Sequence, residues 1–220
     1  MAEWHKYDPD SVPWSETTHK TRSVAPELSQ HALPPKGSLV IPANSLVFVT
    51  KGEFAFEDIG SGVGGDLAWL AADTVAITDR GGEFWTLAVP DKTGPESSCL
   101  IESNQVAWQE FDDPAGRPTQ PVQVLLEGNL SVLRTRFVPG YTAGEHWHDF
   151  STWYFITDGR MRFGHEGWYE TGQIRSVKGG YSYGPEEPGD EGVEFVLVSV
   201  GGPVNLHWAD LEPAPNGPLT

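Results

Sequence analysis

Short stretches of alternating apolar and polar residues follow one another along the chain from residue 38 onwards. A first series comprises Ser38–Ile41, Leu46–Thr50, Glu53–Phe56, Leu67–Leu70, Thr74–Thr78 and Phe84–Val89. A second series comprises Val122–Leu126, Leu130–Val138, Trp153–Thr157, Met161–Phe163, Gly172–Val177 and Val193–Val200. A period of two residues is typical of strands with one buried face. Because many short, regularly spaced strands are typical of sandwiches and barrels, the pattern predicts an all-β protein.

The segments between and around the two series predict the domain boundaries. Residues 1–36 show neither a helical nor a strand period, so we expect an N-terminal arm. Residues 37–90 form a first β-module, and residues 91–121, rich in Pro, Gly and Asp, form a connector in which Gln105–Phe111 could be a strand. Residues 122–210 form a second module, and residues 211–220 a tail.

The two series also resemble each other. Val47–Gly52 is similar to Tyr154–Gly159, and Ala72–Ile77 is similar to Gly172–Val177. An internal duplication of one β-module of roughly 85 residues accounts for the similarity. Chance likeness between short β-rich segments is the alternative.

Charge and cysteine content restrict the possible partners. The chain of 220 residues has 14 Lys and Arg against 31 Asp and Glu, a formal net charge of −17. Such an excess of acid repels nucleic acids and anionic membrane surfaces. The single cysteine, Cys99, excludes an internal disulfide and is interpreted as a structural thiol. Without an apolar leader or membrane-spanning run, we expect a cytoplasmic protein, and we expect a homodimer that binds a small-molecule substrate.

His146 and His148 are the first candidates for chemistry. Residues two apart on a strand point to the same face, so both imidazoles could bind one cation. Isolated, a His-x-His pair is a weak signal, and a hydrogen-bonded surface pair would be the better interpretation. The residues around it therefore decide how the pair is interpreted.

The flanking glycines follow a spacing known from one superfamily. Gly140, five residues, the His146-x-His148 pair and a strand ending at Gly159 form a first motif. Gly172, five residues and a turn at residues 179–180 form a second. Together they resemble the two motifs of the cupin superfamily. The sequence that flanks them is similar to that of the small diketone-dioxygenase-like and regulatory cupins. The resemblance extends more faintly to residues 38–89, which implies a double cupin, or bicupin.

The cupin resemblance implies a conical β-barrel that holds one divalent metal ion, iron, zinc, nickel or manganese, through His146 and His148. Two positions depart from the family pattern, because Thr152 stands where a glutamate is usual and Tyr183 where a later histidine is usual. Three replacements remain open. Tyr183 could bind as a phenolate; a carboxylate could substitute, the candidates being Glu145, Asp149 and Glu194; or a histidine could come from a neighbouring strand, the candidates being His165 and His207.

The first module lacks the ligands. Aligning Gly52 with Gly159 puts Leu39 and Ile41 at the positions of the histidine pair, Ser45 at the carboxylate position and Glu83 at the later histidine. Because apolar side chains do not bind cations, we interpret this module as a degenerate, structural cupin.

Alternation along the second module predicts which side chains surround the site. If His146 and His148 face inward, Thr152, Tyr154 and Ile156 also do. Tyr183 and Tyr154 are then the candidate proton donors or acceptors, and the candidate substrate-binding residues are Thr152, Arg136, Trp147 and Phe163. For Arg136, which shares a strand face with Arg134, a salt bridge is the alternative. The acidic run Glu186–Glu191 is interpreted as a solvated loop, with a lid over the barrel as the alternative.

Three functions remain open at this point. The first is a metal-dependent cupin enzyme that acts on a small oxygenated molecule of the diketone or enol type, with dioxygenase, lyase or cyclase chemistry. The second is a metal-free, epimerase-like or isomerase-like cupin that uses His146, His148 and Tyr183 as acid and base. The third is a non-catalytic cupin that senses a small molecule or a metal.

Overall fold

Two structural units make up the protein. The computed structural model describes residues 3–16, 18–110 and 120–219. The N-terminal unit is Pro9–Val106, and the C-terminal unit is Met1–Asp8 together with Ala107–Thr220. The described residues form strands joined by turns and three one-turn 3-10 helices, so the all-β prediction is confirmed. Among these residues no helix has the length and apolar character needed to cross a membrane.

The N-terminal unit contains two sheets and two 3-10 turns, at Pro9–Ser11 and Ser103–Gln105. Its strands are β2 (Ser15–Glu16), β3 (Lys20–Ala25), β4 (Leu28–Leu33), β5 (Ser38–Ile41), β6 (Ser45–Lys51), β7 (Glu53–Phe56), β8 (Gly60–Val63), β9 (Leu67–Leu70), β10 (Thr74–Ile77), β11 (Gly82–Ala88) and β12 (Cys99–Ile101). One sheet has the order β12-β9-β6-β11-β4-β3-β2, and the other has the order β5-β10-β7-β8.

Three phenylalanines lie in the hydrophobic cluster of the N-terminal unit. Phe54 and Phe84 meet edge to face at its centre, with ring centroids 4.9 Å apart. The other members are Leu33, Ile41, Val47, Val49, Phe56, Ala68, Leu70 and Ala76. Ile41, aligned above with His148, is therefore a packing residue.

The C-terminal unit contains one large sheet, one short strand pair and a 3-10 turn at Gly164–Glu166. Its strands are β1 (Trp4–Tyr7), β13 (Val122–Leu126), β14 (Leu130–Phe137), β15 (His146–Trp147), β16 (Ser151–Phe163), β17 (Gly167–Glu170), β18 (Ile174–Val177), β19 (Glu186–Val200) and β20 (His207–Trp208). The large sheet has the order β1-β18-β16-β19-β14-β13, with β17 paired to β16, while β15 pairs with β20.

Five strands of each unit follow the same order. In the N-terminal unit the order is β9-β6-β11-β4-β3, and in the C-terminal unit the strands of equal rank in the chain give β18-β16-β19-β14-β13. Gly52 and Gly159, which the sequence alignment matched, both have positive φ, 86° and 73°. A Cβ at either would meet a backbone carbonyl, of Gly81 or of Gly192 respectively, so both positions require glycine.

The expected arm over residues 1–36 is wrong for most of its described length. Trp4–Tyr7 forms the edge strand β1 beside β18, while Lys20–Ala25 and Leu28–Leu33 pair with each other as β3 and β4. Polar residues on these strands, such as Ser23 and Ser29, bond to each other across the pair and hide the apolar period. Propensity and alternation alone therefore missed strands that cross-strand pairing stabilises.

The expected connector and tail are also more ordered than predicted. Cys99–Ile101 forms β12 beside β9, and burial raises the pKa of the Cys99 thiol, in keeping with a structural role. Gln109 bridges to Val122, while residues 111–119, including the end of the possible strand Gln105–Phe111, lie outside the described residues. In the tail, the Leu219 amide donates to the Ser182 carbonyl at 2.8 Å.

Candidate functional site

His146 and His148 lie side by side in the C-terminal unit, both buried, with ring centroids 5.4 Å apart. Nδ1 of His146 is 2.8 Å from the Gly144 carbonyl oxygen, and Nδ1 of His148 is 2.6 Å from that of Asn205. Because a carbonyl oxygen only accepts hydrogen bonds, each Nδ1 carries a proton. Each Nε2 is therefore a bare acceptor when the ring is neutral.

Burial keeps both rings neutral. It lowers the pKa of His146 to about 4, with a smaller contribution from the positive charge of Arg175, while the hydrogen bond to Gly144 opposes the shift. Burial and the neighbouring imidazole lower the pKa of His148 to about 3. At neutral pH the pair presents two uncharged imidazoles.

Glu186 faces this pair, although the sequence pattern predicted a solvated loop at its position. It begins β19 and is only 2% exposed. Paired backbone hydrogen bonds with Ala143 fix its position, and its Oε1 lies 3.6 Å from His146 Nε2. That Oε1 has no hydrogen-bond partner among the described residues.

The Glu186 carboxyl has an unusual affinity for protons. Burial raises its pKa to about 7, while the charge of Arg175 and a hydrogen bond with Tyr154 oppose the rise. With His146 held neutral, the two side chains do not form an ion pair at neutral pH. The carboxyl can instead take up or release a proton near neutrality, as a general base or acid requires.

Tyr154 and Tyr183 form a hydrogen-bonded pair beside Glu186. Their hydroxyl oxygens are 2.6 Å apart, and both side chains are buried. An isolated bridge between His146 and Tyr183 positions the second tyrosine. Burial and the negative charge of Glu186 raise the pKa of both phenols, so both are protonated at neutral pH.

Arg175 is a buried cation beneath the two tyrosines. On β18 it lies opposite Tyr154, and its guanidinium carbon is 4.1 Å from the ring centre of Tyr183. Nε and Nη2 donate to the two carboxylate oxygens of Glu166 at 2.8 and 2.6 Å, while Nη1 has no partner among the described residues. Although burial opposes its charge, the hydrogen bonds and charge of Glu166 raise the pKa of Arg175, which therefore stays charged.

Two of the predicted substrate-binding residues lie in the interior behind the cavity wall. Thr152 is fully buried, and its Oγ1 has no partner among the described residues. Phe163 packs edge to face on Tyr154, with ring centroids 5.0 Å apart, and Arg175 lies over its ring. Both are interior as predicted, but neither lines the cavity described below.

The other two predicted substrate-binding residues do not reach the cavity. Arg136 and Arg134 lie on the outer face of β14, where both pair with Glu194, so the salt-bridge interpretation fits. Trp147 points away from its histidine neighbours, and its Nε1 donates to the Glu212 carbonyl at 2.9 Å. Strand alternation accounts for both, because residues one apart face opposite sides.

The carboxylates proposed from the sequence as replacement ligands have other partners. Glu145 Oε1 accepts from the Ser182 hydroxyl at 2.6 Å. Asp149 Oδ2 accepts from Asn205 Nδ2 at 2.8 Å and lies 3.2 Å from His207 Nε2. Glu194 pairs with the two β14 arginines outside the cavity. Glu186, which was not among them, is the carboxylate that faces the histidine pair.

Neither His165 nor His207, the histidines proposed from the sequence as further ligands, belongs to the buried pair. His165 is exposed in the 3-10 turn after β16. His207 stacks on Trp147 with ring centroids 4.0 Å apart, and its Nδ1 lies 3.0 Å from Glu212. Although burial opposes it, hydrogen bonds to Asp149 and Glu212 raise the pKa of His207.

A cavity of about 670 Å³ opens beside these groups. His146, His148, Tyr154 and Glu186 form its polar end. Alternate residues of β14 line one wall, with their neighbours Arg134 and Arg136 on the opposite face. The apolar lining comes mainly from β13, β14, β19 and the segment around β20, including Val122, Val124, Leu126, Leu133, Phe137, Phe195, Leu197, Val204, Leu206, Trp208 and Leu211. An apolar cavity with a few convergent polar groups is the usual form of a small-molecule site.

Comparison with solved structures identifies the fold. No protein-family model and no curated protein matches the sequence. The formate complex of oxalate decarboxylase from Lactobacillus farciminis is 13% identical, has a TM-score of 0.67 and covers 94% of this chain and 88% of its own. Protein Ylba from E. coli, of family DUF861, is 9% identical with a TM-score of 0.67, covering 90% of each chain. The chain has the cupin fold.

The cupin fold does not fix an activity here. An 11S globulin from Wrightia tinctoria, whose structure reveals an auxin-binding site, is also similar, at 10% identity and a TM-score of 0.64, over 93% of this chain and 85% of its own. A decarboxylase and a globulin thus share the fold, so function has to be argued from the site.

The donor set at the cupin site does not fit a divalent metal ion. Catalytic metal sites usually have three protein ligands and an open position. His146 and His148 offer two, but no third His, Cys, Asp or Glu among the described residues completes a group that could hold a metal. The raised pKa of Tyr183 disfavours a phenolate ligand, and Thr152 replaces the usual carboxylate.

Sequence reasoning brought His146, His148 and Tyr154 to the cavity but missed Glu186 and Arg175. Glu186 stood in an acidic run, which is normally solvated. Arg175 stood in a predicted strand beside polar residues, and only the register that puts it opposite Tyr154 turns it inward. The available signal was the period of two residues along this strand, which puts Arg175 on the same face as the apolar Val177.

Proposed function

We propose that the C-terminal unit is a metal-independent enzyme of the isomerase or epimerase kind, which moves a proton on a small carbonyl compound. One observation carries the proposal. The buried carboxyl of Glu186 lies 3.6 Å from the bare Nε2 of His146, at the polar end of an apolar cavity that Tyr154 also lines. A proton acceptor, a second neutral base and a hydroxyl donor are thus grouped where a substrate can enter.

Each group has a role that matches its protonation state. The Glu186 carboxylate takes the proton from the carbon next to the substrate carbonyl, and the electron pair moves to the carbonyl oxygen. Tyr154 donates a hydrogen bond to that oxygen, which stabilises the enol or enolate. The proton then returns from Glu186 to the same carbon, on its other face once the enolate has turned over in the cavity, which gives the epimer. In a hydroxy ketone it can instead pass to the former carbonyl carbon while the hydroxyl on the first carbon gives its proton to the enolate oxygen and becomes the new carbonyl, so that atoms and charge balance.

The surrounding residues support these roles. Tyr183 orients the Tyr154 hydroxyl through the 2.6 Å hydrogen bond. The apolar walls exclude water, and a low effective dielectric strengthens the hydrogen bond to the developing oxyanion. Tyr183 is therefore a positioning residue, whereas Glu186 and Tyr154 are the catalytic residues.

Exchange of substrate hydrogen for deuterium tests the proposal directly. We expect the protein to catalyse exchange in D₂O at the carbon next to the carbonyl of small hydroxy ketones, observed by proton NMR. Glu186→Gln should slow exchange by about 10² to 10⁴-fold, because it removes the general base. Glu187→Gln is the matched control, because the Glu187 carboxylate is partly exposed and pairs with Arg162. This variant should leave the exchange rate unchanged.

Metal dependence is decided in the same assay. Exchange at the full rate after dialysis against a chelator is the expected result. Loss of exchange that one stoichiometric divalent metal restores, and that His146→Ala and His148→Ala abolish, would instead support the metal-dependent enzyme. That alternative rests on the bare Nε2 atoms, since metal-binding histidines also donate through Nδ1. Tight ligand binding without exchange by any variant would support the sensing function.

A further inference from the structure

We propose that the cavity selects a hydroxyl-bearing molecule with an extended apolar body and rejects carboxylates of the same size. This proposal rests on the proposed function in one respect: it takes the cavity at His146 and Glu186 as the place where the substrate binds. It follows from the hydrogen-bonding capacity of the polar end, from the charges that line the cavity and from the shape of the apolar walls.

The polar end of the cavity accepts hydrogen bonds more than it donates them. Nε2 of His146 and Nε2 of His148 are acceptors, because each Nδ1 proton is bonded to a backbone carbonyl. Oε1 of Glu186 is a buried acceptor without a partner among the described residues. Tyr154 is the donor among the four side chains that form this end. A ligand head group therefore has to bring its own protons, and a hydroxyl does so whereas a carboxylate does not.

The charges lining the cavity are mainly negative. Its described lining includes three carboxylates, of Glu127, Glu186 and Glu212, and neither lysine nor arginine. His207 also lines the cavity and has a raised pKa, but it is already paired with Asp149 and Glu212. Arg175 lies behind the lining and is paired through two hydrogen bonds to Glu166, which neutralises it. A ligand carboxylate would lose its hydration in the cavity without gaining an unpaired cation, which is unfavourable.

The apolar walls fix the rest of the ligand. The cavity of about 670 Å³ is larger than a two-carbon acid needs, and most of its lining is aliphatic or aromatic. Leu133, Phe137 and Leu197 extend the apolar surface away from the polar end. Each buried methylene of a ligand contributes about 0.8 kcal/mol to binding, so a chain of several carbons is favoured over a small head group.

A set of probes of equal length isolates the head group. We would titrate 1-heptanol, methyl hexyl ether and heptanoate at pH 8 into the full chain and follow tryptophan fluorescence, because Trp208 lines the cavity. The expected result is that 1-heptanol binds about tenfold more tightly than the ether and heptanoate, the margin expected of about one hydrogen bond. Equal or tighter binding of heptanoate would overturn the proposal, as would equal binding of the ether.

Three variants connect the result to the site. Glu186→Gln should raise heptanoate affinity toward that of 1-heptanol, because an uncharged amide replaces the carboxylate, whereas Glu187→Gln should leave both affinities unchanged. Val124→Trp should weaken all three probes by filling the cavity, with circular dichroism to show that it folds. An unchanged heptanoate affinity in Glu186→Gln would contradict the proposed charge effect. Because these titrations need no turnover, the selectivity can hold when deuterium exchange fails, and it can fail when exchange succeeds.

Discussion

The two units repeat one strand order but differ in how their buried charged groups are satisfied. In the N-terminal unit, the buried carboxylate of Asp66 accepts hydrogen bonds from the Val63 and Ser103 amides. In the C-terminal unit, Arg175 and Glu186 are also buried, but Nη1 of Arg175 and Oε1 of Glu186 have no partner among the described residues. The comparison teaches that one β-frame can bury charged groups in both units, and that unsatisfied polar atoms mark the unit whose cavity we propose as the functional site.

Replacing Arg175 with methionine should have the largest effect on stability. Arg175→Met removes the buried cation but leaves the Glu166 carboxylate buried without its partner. Breaking one side of a buried pair costs about 3 to 5 kcal/mol. We expect the free energy of unfolding, measured by urea titration, to fall by that amount.

The double variant Arg175→Met with Glu166→Leu is the control for this loss. Replacing both members of a buried pair by apolar residues is often neutral or stabilising. We therefore expect the double variant to recover most of the lost free energy of unfolding. A double variant as unstable as the single one would mean that packing, rather than an unpaired charge, causes the loss.

A pH-dependent comparison gives the next largest effect. Burial lowers the pKa of His148 from 6.5 to about 3, so above pH 6.5 the ring is neutral in both the folded and the unfolded protein. Below pH 6.5 the unfolded protein takes up a proton that the folded protein does not, so the free energy of unfolding falls, by about 2 to 3 kcal/mol at pH 4.5. His148→Asn, which does not titrate, should reduce the acid destabilisation by this amount, measured as urea midpoints at pH 7.5 and 4.5.

His165, which is exposed, provides the control substitution for His148→Asn. His165→Asn should leave the difference in unfolding free energy between the two pH values as it is in the wild type. If both substitutions change that difference equally, burial of His148 does not cause the acid sensitivity.

Thr152→Val should have the smallest effect and the opposite sign. Valine keeps the shape of the side chain and removes a buried hydroxyl whose Oγ1 has no partner among the described residues. We expect stability to rise by about 1 kcal/mol, the desolvation cost that the hydroxyl no longer imposes. Thermal unfolding measures it, and a decrease in stability would show that Thr152 has a partner in solution, such as a bound water.

Period-two alternation predicted much of the fold because most strands bury one face. It defined Glu53–Phe56 and Leu67–Leu70 to the residue and turned Tyr154 inward. It failed where polar residues hide the apolar period, as for Lys20–Ala25, whose Ser23 bonds to Ser29 on the adjacent strand β4. Nothing local marks Glu186 as buried either, because its desolvation is imposed by backbone pairing with Ala143.

The edge strand β1 has a consequence for synthesis of the chain. Residues 4–7 pair with residues 174–177, so β1 waits during synthesis until the chain has been extended as far as β18. At roughly 5 to 20 residues per second, that wait is on the order of ten seconds or longer. The N-terminal unit, Pro9–Val106, is synthesised in full during this wait and can fold first. The C-terminal unit therefore closes last, and a substitution that disrupts β1 would disturb it rather than the unit that follows β1 in the chain.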